Sequence, residues 1–354
     1  MIQRLITTIA VALIAISALA APPPPVLTLH VVQEIQKAPV IDGKLDDACW
    51  QTVPKYTTFY SFNVMKPKPT PLKTAFQLAY DPSGVYLAIS MFETNMAQLK
   101  ATITQNGDQS LWEDDSDEIY FDSTAAGIGF RKFIVNALAT KCTLYRMDPA
   151  NIDTAWSPDG WRVATSRDDK AWYIEAFFPW SDLGRVAKDG DLWRFSICRF
   201  SWSSGYLASS SIGASYSAPE RLGWLFFRKA QNSDMNALAA QLKTRIAGDW
   251  LLPVQNQAIL KAGDKLTVTT MPGLLNDLKT GAGVRLAECQ KLVAADTNAT
   301  KVCQDLAGQF AGVTPTEDPV LFQQSVQTIG TIEQQLEDLK YAQMLNALIA
   351  AQKK

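Results

Sequence analysis

Histidine occurs once in the 354 residues, at His30. A Ser-His-Asp nucleophile would have to use it, and no GxSxG elbow accompanies it. Histidine-based zinc sites are removed too, and no CxxC spacing offers a thiolate substitute. Charge of one sign is equally scarce: 33 Lys and Arg stand against 35 Asp and Glu, a net of −2. Such a chain has no field to draw in nucleic acid or an anionic membrane, so neither is expected as a partner. Only one long apolar run exists, Leu5 to Leu19, and it is shorter than the ~20 residues a membrane-crossing helix needs.

That run has Arg4 in front of it and closes on Ala18-Leu19-Ala20, with Ala21 and four prolines after it. This is the layout of a secretory signal peptide over residues 1–20, with a mature chain starting near Ala21. A retained anchor is the alternative. The expected location is secreted, periplasmic or cell-surface, with no transmembrane segment in the mature chain. The five cysteines are an odd number. Cys49, Cys142 and Cys198 fall in strand-like text and suit small buried hydrophobes. Cys289 and Cys303 lie in helical text on either side of a polar turn, and an exported compartment permits a disulfide between them.

Near residue 230 the text changes character. From Val26 to Phe227 it is aromatic and β-branched, in short runs broken by Gly, Pro, Asn and Asp. LKTAFQLAYDPSGVYLAISMF reads as a hairpin turning at Asp81-Pro82-Ser83-Gly84. DEIYFDS, RKFIVNALA, KCTLYRM, GWRVATS, AWYIEAFFPW and LWRFSICRFSW repeat the pattern. Many short strands joined by turns predict an all-β sandwich of jelly-roll type over residues 38–228, after a Pro-rich leader and first strand at 21–37. Residues 229–354 are rich in Ala, Leu, Gln and Lys at helical spacing and predict an α-helical domain. In its last segment Ile329, Ile332, Leu336 and Leu339 recur at three- and four-residue steps, as in a bundle or coiled coil. A homo-oligomer or protein partner through these helices, or packing within the chain, are both open.

The stretch SLWEDDSDEIYFDS, residues 110–123, places five carboxylates between Trp112 and Glu118. As a strand, 117–123 puts Asp117, Ile119 and Phe121 on one face and Glu118, Tyr120 and Asp122 on the other. The second row, with Trp112 over its end, suits a sugar, which offers an apolar C–H face and a rim of hydroxyls. The bland alternative makes Trp112 a core anchor and the acids a solvated loop. Trp50, Trp172, Trp180 and Trp193 sit in apolar runs and are expected in the core. Trp156, Trp161 and Trp202 lie near loops, where one of them can line a groove.

IDGKLDDACW (41–50), LWEDDSDEIYFD (111–122), WYIEAFFPWSDLG (172–184), LWRFSICRF (192–200) and YSAPERLGWLFF (216–227) occur in that order. In this the chain resembles the family 9 carbohydrate-binding modules, secreted β-sandwiches often attached to xylanases, over roughly residues 38–228. The resemblance implies a sugar held between two aromatic rings and a glutamate. By motif these are Trp112, Tyr216 (ahead of Pro219 and Gly223) and Glu118. It also implies Asn136 as a polar contact, while Ile134 stands where the family has a basic residue. The family's late-strand glutamine falls in Ile197-Cys198-Arg199, so Arg199 replaces the lost positive group if it points into the site. Calcium-bearing relatives make Asp42/Asp46/Asp47 and Glu113/Asp114/Asp115 candidate loops for a structural calcium. The expectation is a non-catalytic carbohydrate-binding protein acting in polysaccharide recognition or catabolism. The alternative is a cell-surface or periplasmic assembly protein with a degenerate sugar site. A glycoside hydrolase is least favoured, since adjacent acids do not make two carboxyl groups facing each other across a cleft.

Overall fold

The computed structural model describes residues 24–61, 70–212, 218–229, 234–254 and 256–352. The chain divides into two compact units. One is Leu27–Arg245; the other combines Met1–Val26 with Ile246–Lys354. The signal segment and Tyr216 lie outside the described residues.

Among the described residues the first unit is built on fourteen strands. In chain order they are β1 (Leu29–Glu34), β2 (Lys55–Tyr56), β3 (Tyr60–Ser61), β4 (Thr74–Asp81), β5 (Gly84–Phe92), β6 (Ser116–Asp122) and β7 (Phe130–Asn136). They continue with β8 (Lys141–Arg146), β9 (Ile152–Asp153), β10 (Arg162–Arg167), β11 (Ala171–Pro179), β12 (Leu192–Ser201), β13 (Tyr206–Ser209) and β14 (Gly223–Arg228). Hydrogen bonding runs in the order β10-β11-β5-β4-β1-β14-β12-β6-β7-β8-β9, with β2 on β4 and with β13 bridging β12 to β3. β1 is parallel to both β14 and β4, and every other pairing is antiparallel. The β4–β5 hairpin turns as its sequence predicts, with Asp81 opposite Gly84. Asp81 accepts from Ser83 N at 2.7 Å and Gly84 N at 3.2 Å, so its carboxylate closes the turn.

The sheet curls so that its two halves bury one aromatic core. Phe121 of β6 and Phe133 of β7 meet Phe178 of β11, with ring centroids 5.2 and 4.8 Å apart. Ile119, Val135, Phe195, Ile197 and Leu225 of one half share that core with Leu78, Leu87, Ile89 and Ile174 of the other. This is the predicted sandwich, and the strand face assigned to Ile119 and Phe121 is its inner face. Trp172, Trp180 and Trp193 are in this core and Trp50 in a smaller outer cluster with Tyr86 and Phe177. The unit ends with helix α1 (Met235–Arg245).

The second unit opens on a three-stranded antiparallel sheet: β15 (Trp250–Val254), β16 (Gln257–Ala262) and β17 (Lys265–Thr270). The helical composition on either side conceals it in the sequence, although Gly263-Asp264 marks its second turn. Three helices follow: α2 (Met271–Val293), α3 (Thr297–Ala311) and α4 (Pro319–Gln352). Thr270 caps α2 by accepting from Gly273 N, and Asp296 caps α3 by accepting from Asn298 N and Ala299 N. Ile329 joins a cluster with Leu251, Leu275 and Phe322, while Ile332 and Leu336 join another with Leu286, Cys289, Cys303 and Leu306. That apolar stripe is therefore spent inside the unit. Cys289 and Cys303 are free thiols buried side by side, and burial with the neighbouring thiol pushes Cys289 up to about 11. No helix of the described residues is long and apolar enough to cross a membrane.

Candidate functional site

The acid-rich stretch resolves into individual tasks. A short 3-10 turn, Leu111–Glu113, buries Leu111 and leaves Trp112 and Glu113 exposed. Asp114, wholly buried, accepts from Thr102 N, Thr102 Oγ1 and Ile103 N at 2.8–2.9 Å, and from Asn136 Nδ2 at 3.0 Å. Asp115 accepts from Lys100 N at 2.8 Å and Ser203 N at 3.0 Å. These two carboxylates accept the backbone amides of part-buried loop segments. They tie the 100–103 segment and the β12–β13 turn to the head of β6.

Asp117 and Glu118 then point to opposite faces. Asp117 lies on the inner face, fully buried, and its carboxyl oxygens have no hydrogen-bond partner. Burial pushes its pKa up to about 8; the charge of Arg199 opposes that rise, and Glu93 and Glu118 add to it. Arg199 sits opposite Asp117 in the β6–β12 register. It crosses the sandwich to Glu93 Oε1 at 2.6 Å, Thr74 Oγ1 at 2.5 Å and the carbonyls of Phe92 and Lys73. The expectation that Arg199 could supply positive charge to the sugar row is thereby corrected. Strand parity sends it inward, and a buried guanidinium goes where a carboxylate can pair with it.

Glu118 lies on the outer face, opposite Cys198 on β12 and Ile134 on β7. Its side chain is 1% exposed and paired with Lys132 Nζ at 2.8 Å, and it also accepts from the Tyr120 hydroxyl. The position left empty of charge by Ile134 is thus covered by Lys132, two residues earlier on the same strand face. Ile134 itself packs with Leu111 and Cys142. Asn136 is buried at the end of β7; its amide donates to Ile103 O and Asp114, and its carbonyl accepts from Leu138 N and Thr140 N. Every polar position of that side chain is engaged in holding the loop.

At the open end of this outer face stand two indoles. Trp112 and Trp202 are each 41% exposed, with ring centroids 6.1 Å apart and planes inclined by 58°. Trp202 Nε1 donates to Trp112 O at 2.7 Å. Trp202 is also 6.1 Å from Phe200, which clusters with Tyr120, Phe130 and Cys198 on the same outer face. An aromatic file therefore runs from Trp112 through Trp202 and Phe200 towards the row that carries Glu118. Of the three loop tryptophans, Trp161 is buried, Trp156 half-buried, and Trp202 presents its ring. A lone aromatic in the polar turn Ser-Trp-Ser-Ser-Gly was the signal for it.

The other sequence motif is a structural lock. Glu175 on β11 accepts from Asp42 N at 3.1 Å, Gly43 N at 3.2 Å and Trp50 Nε1 at 2.9 Å. Burial raises its pKa while those three donors lower it. Gly43 has φ +83°, and a Cβ there would meet the Thr165 carbonyl carbon at 2.8 Å. For calcium, Asp42 is engaged with Lys44, Asp47 accepts from Val40 N, and Asp114 and Asp115 from the amides above. No three His, Cys, Asp or Glu side chains among the described residues gather where they could hold a metal ion.

Residues 41–213 match the family described as "Carbohydrate family 9 binding domain-like". Two solved structures of family 9 carbohydrate binding modules from Caldicellulosiruptor kristjanssonii, one in complex with glucose and one with cellotriose, are each 16% identical at a TM-score of 0.43. The alignments cover 58% of this chain and 100% and 96% of theirs. No curated protein matches the chain. The sandwich unit resembles the family 9 carbohydrate-binding modules, as its ordered motifs indicate.

Proposed function

We propose that the Leu27–Arg245 unit is a non-catalytic module that binds carbohydrate, within a protein exported under its N-terminal signal segment and acting in polysaccharide recognition or catabolism. The observation that carries the reading is the exposed indole of Trp112 at the head of β6. Its motif is the one that the family resemblance assigns to a stacking ring, in a domain that matches a carbohydrate-binding family. A sugar ring lies with its C–H face on the indole, and Lys132, the partly exposed member of the Glu118–Lys132–Tyr120 group, is the donor available to its hydroxyls. Tyr216, from the segment ahead of Pro219, is the proposed opposing ring.

The carboxyl groups argue for binding rather than turnover. Asp117, with its raised pKa, is sealed inside the sandwich, and Glu118 is held in an ion pair. A general acid must reach a glycosidic oxygen while keeping its proton, and neither residue meets both demands.

Titration calorimetry after a glycan-array screen tests the proposal. The wild-type chain is expected to bind a soluble oligosaccharide. Trp112→Ala is expected to weaken that binding tenfold or more, about 1.4 kcal/mol, the loss typical of an aromatic anchor. Silence of the wild type across plant and microbial glycans overturns it. A second reading, an assembly protein that has lost its sugar site, is favoured by one observation. The carboxylate meant for sugar hydroxyls is already satisfied inside the protein.

A further inference from the structure

A cavity of about 250 Å³ lies along the free edge of β8, apart from the Trp112–Glu118 row. β8 sets Lys141 and Thr143 opposite Val135 and Phe133, on the inner face, whereas Glu118 stands on the outer one. β9 pairs with Tyr145 and Arg146, so among the described residues no strand covers the first half of β8. The 106–109 loop closes that edge instead. Gly107 N donates to Lys141 O at 2.9 Å, Asn106 Oδ1 accepts from Lys141 N at 3.0 Å, and Gln109 Nε2 donates to Thr143 O and Thr154 O at 3.2 and 3.0 Å. Two of the loop tryptophans also line the space. Trp161 is buried and stacked on Phe178, and half-buried Trp156 packs on Phe133 while its carbonyl accepts from Thr143 Oγ1 at 2.5 Å. The lining is therefore fixed before any ligand arrives, and a ligand there pays little for ordering it.

Its charge decides what that ligand is. Among the described residues the lining holds no aspartate or glutamate, and Lys141 is its one charged side chain. Lys141 is half-buried, with Nζ 5.0 Å from the Trp161 ring centroid and donating to Trp161 O at 3.3 Å. No carboxylate of the described residues pairs with it. Asp108, next to the lining loop in sequence, turns its carboxylate onto Ser110 N and Oγ at 2.9 and 2.6 Å. A partly desolvated ammonium has three donors, and one carbonyl and one ring leave that capacity unspent. An anion completes it through charge-assisted hydrogen bonds. The volume falls below the ~300–1,000 Å³ of pockets for drug-sized molecules, which leaves room for one sugar-sized unit. We propose that this cavity is a second ligand site, taking a uronic acid residue of a polysaccharide with Lys141 on its carboxylate and Trp156 against its ring. The inference rests on the carbohydrate reading above and adds a preference for charge to it.

Calorimetry of the full chain against trigalacturonate, a glucuronate-substituted xylotriose, the methyl ester of each, and cellotriose provides the test. Wild type, Lys141→Met, Lys141→Arg and Trp112→Ala are compared. Wild type is expected to bind one of the acids at least tenfold more tightly than its ester, which lacks the charge, and to lose affinity for it as salt rises. Lys141→Met is expected to weaken the acid tenfold or more and to leave cellotriose within twofold. Lys141→Arg keeps the charge and is expected to stay within about threefold of wild type. Equal affinity for acid and ester overturns the proposal. Acid binding that survives Lys141→Met and is lost in Trp112→Ala also overturns it, since the acid then sits on the outer face. Full displacement of the acid by sodium acetate at matched ionic strength overturns the assignment to a sugar. Silence towards both acids, with cellotriose or an arrayed neutral glycan still bound, removes this inference alone; silence towards every glycan removes the carbohydrate reading with it. The comparison of acid with ester needs no variant, so it decides the matter even where Lys141→Met fails to fold.

Discussion

Two side chains buried on the inner side of the sandwich set its response to pH in opposite directions. His30, enclosed by Tyr56, Phe76 and Phe195, has its pKa pushed down to about 3 by burial. Below its ordinary value of 6.5 the unfolded chain takes up a proton that the folded chain refuses, so this residue costs stability as pH falls towards 3. Asp117 is the converse. Its folded pKa is about 8 against an ordinary 3.8, so the fold keeps a proton the unfolded chain gives up, and that advantage is lost as pH rises to 8. From about pH 4 to 6.5 the two slopes cancel; from 6.5 to 8 only Asp117 remains, at up to ~1.4 kcal/mol per pH unit. Urea denaturation followed against pH is expected to show a plateau and then a decline above 6.5. Asp117→Asn, which mimics the protonated carboxyl, is expected to abolish that decline; a decline of unchanged slope would refute the assignment. At this scale strand parity was legible, and it sent Asp117 and Glu118 to opposite faces. It did not reveal partners: that Arg199 pairs with Glu93, or Glu118 with Lys132, depends on strands folding together from distant positions.

Among the elements, the most legible were those whose signal is local. The β4–β5 hairpin follows from alternating apolar runs around a turn that Asp81 closes. The helices α2, α3 and α4 follow from their spacing. The β15–β17 sheet was not legible, because its short strands stand amid helical composition and its cores are shared with helices distant in sequence. The 41–50 motif, one of those that carry the family resemblance, is a clasp, its two loop amides and an indole N–H converging on Glu175. Gly43→Ala tests the clasp. A Cβ 2.8 Å from the Thr165 backbone at a positive φ is expected to cost about 2–3 kcal/mol in urea unfolding, the range for strain at a left-handed position combined with a clash. A loss below about 0.5 kcal/mol would show that the loop can move aside.

At the scale of the whole chain, the late part of α4 stands apart from the rest of its unit. Past Leu339 its apolar residues Tyr341, Leu345, Leu348 and Ile349 are exposed and fall on one helical stripe. A second copy of this chain is the proposed occupant, which would make two sandwiches act on one polymer with the gain of avidity. Sedimentation velocity of the full chain is expected to show a dimer that Leu345→Lys with Ile349→Lys converts to monomer; a wild-type monomer at all concentrations discards the idea. The composition changes near residue 230, whereas the compact sandwich unit extends to Arg245, α1 included. A last consequence comes from the parallel seam where Leu29 of β1 aligns with Trp224 of β14. The first strand to leave the ribosome has to wait for the last before the barrel of hydrocarbon can shut. Such delayed closure makes folding slow.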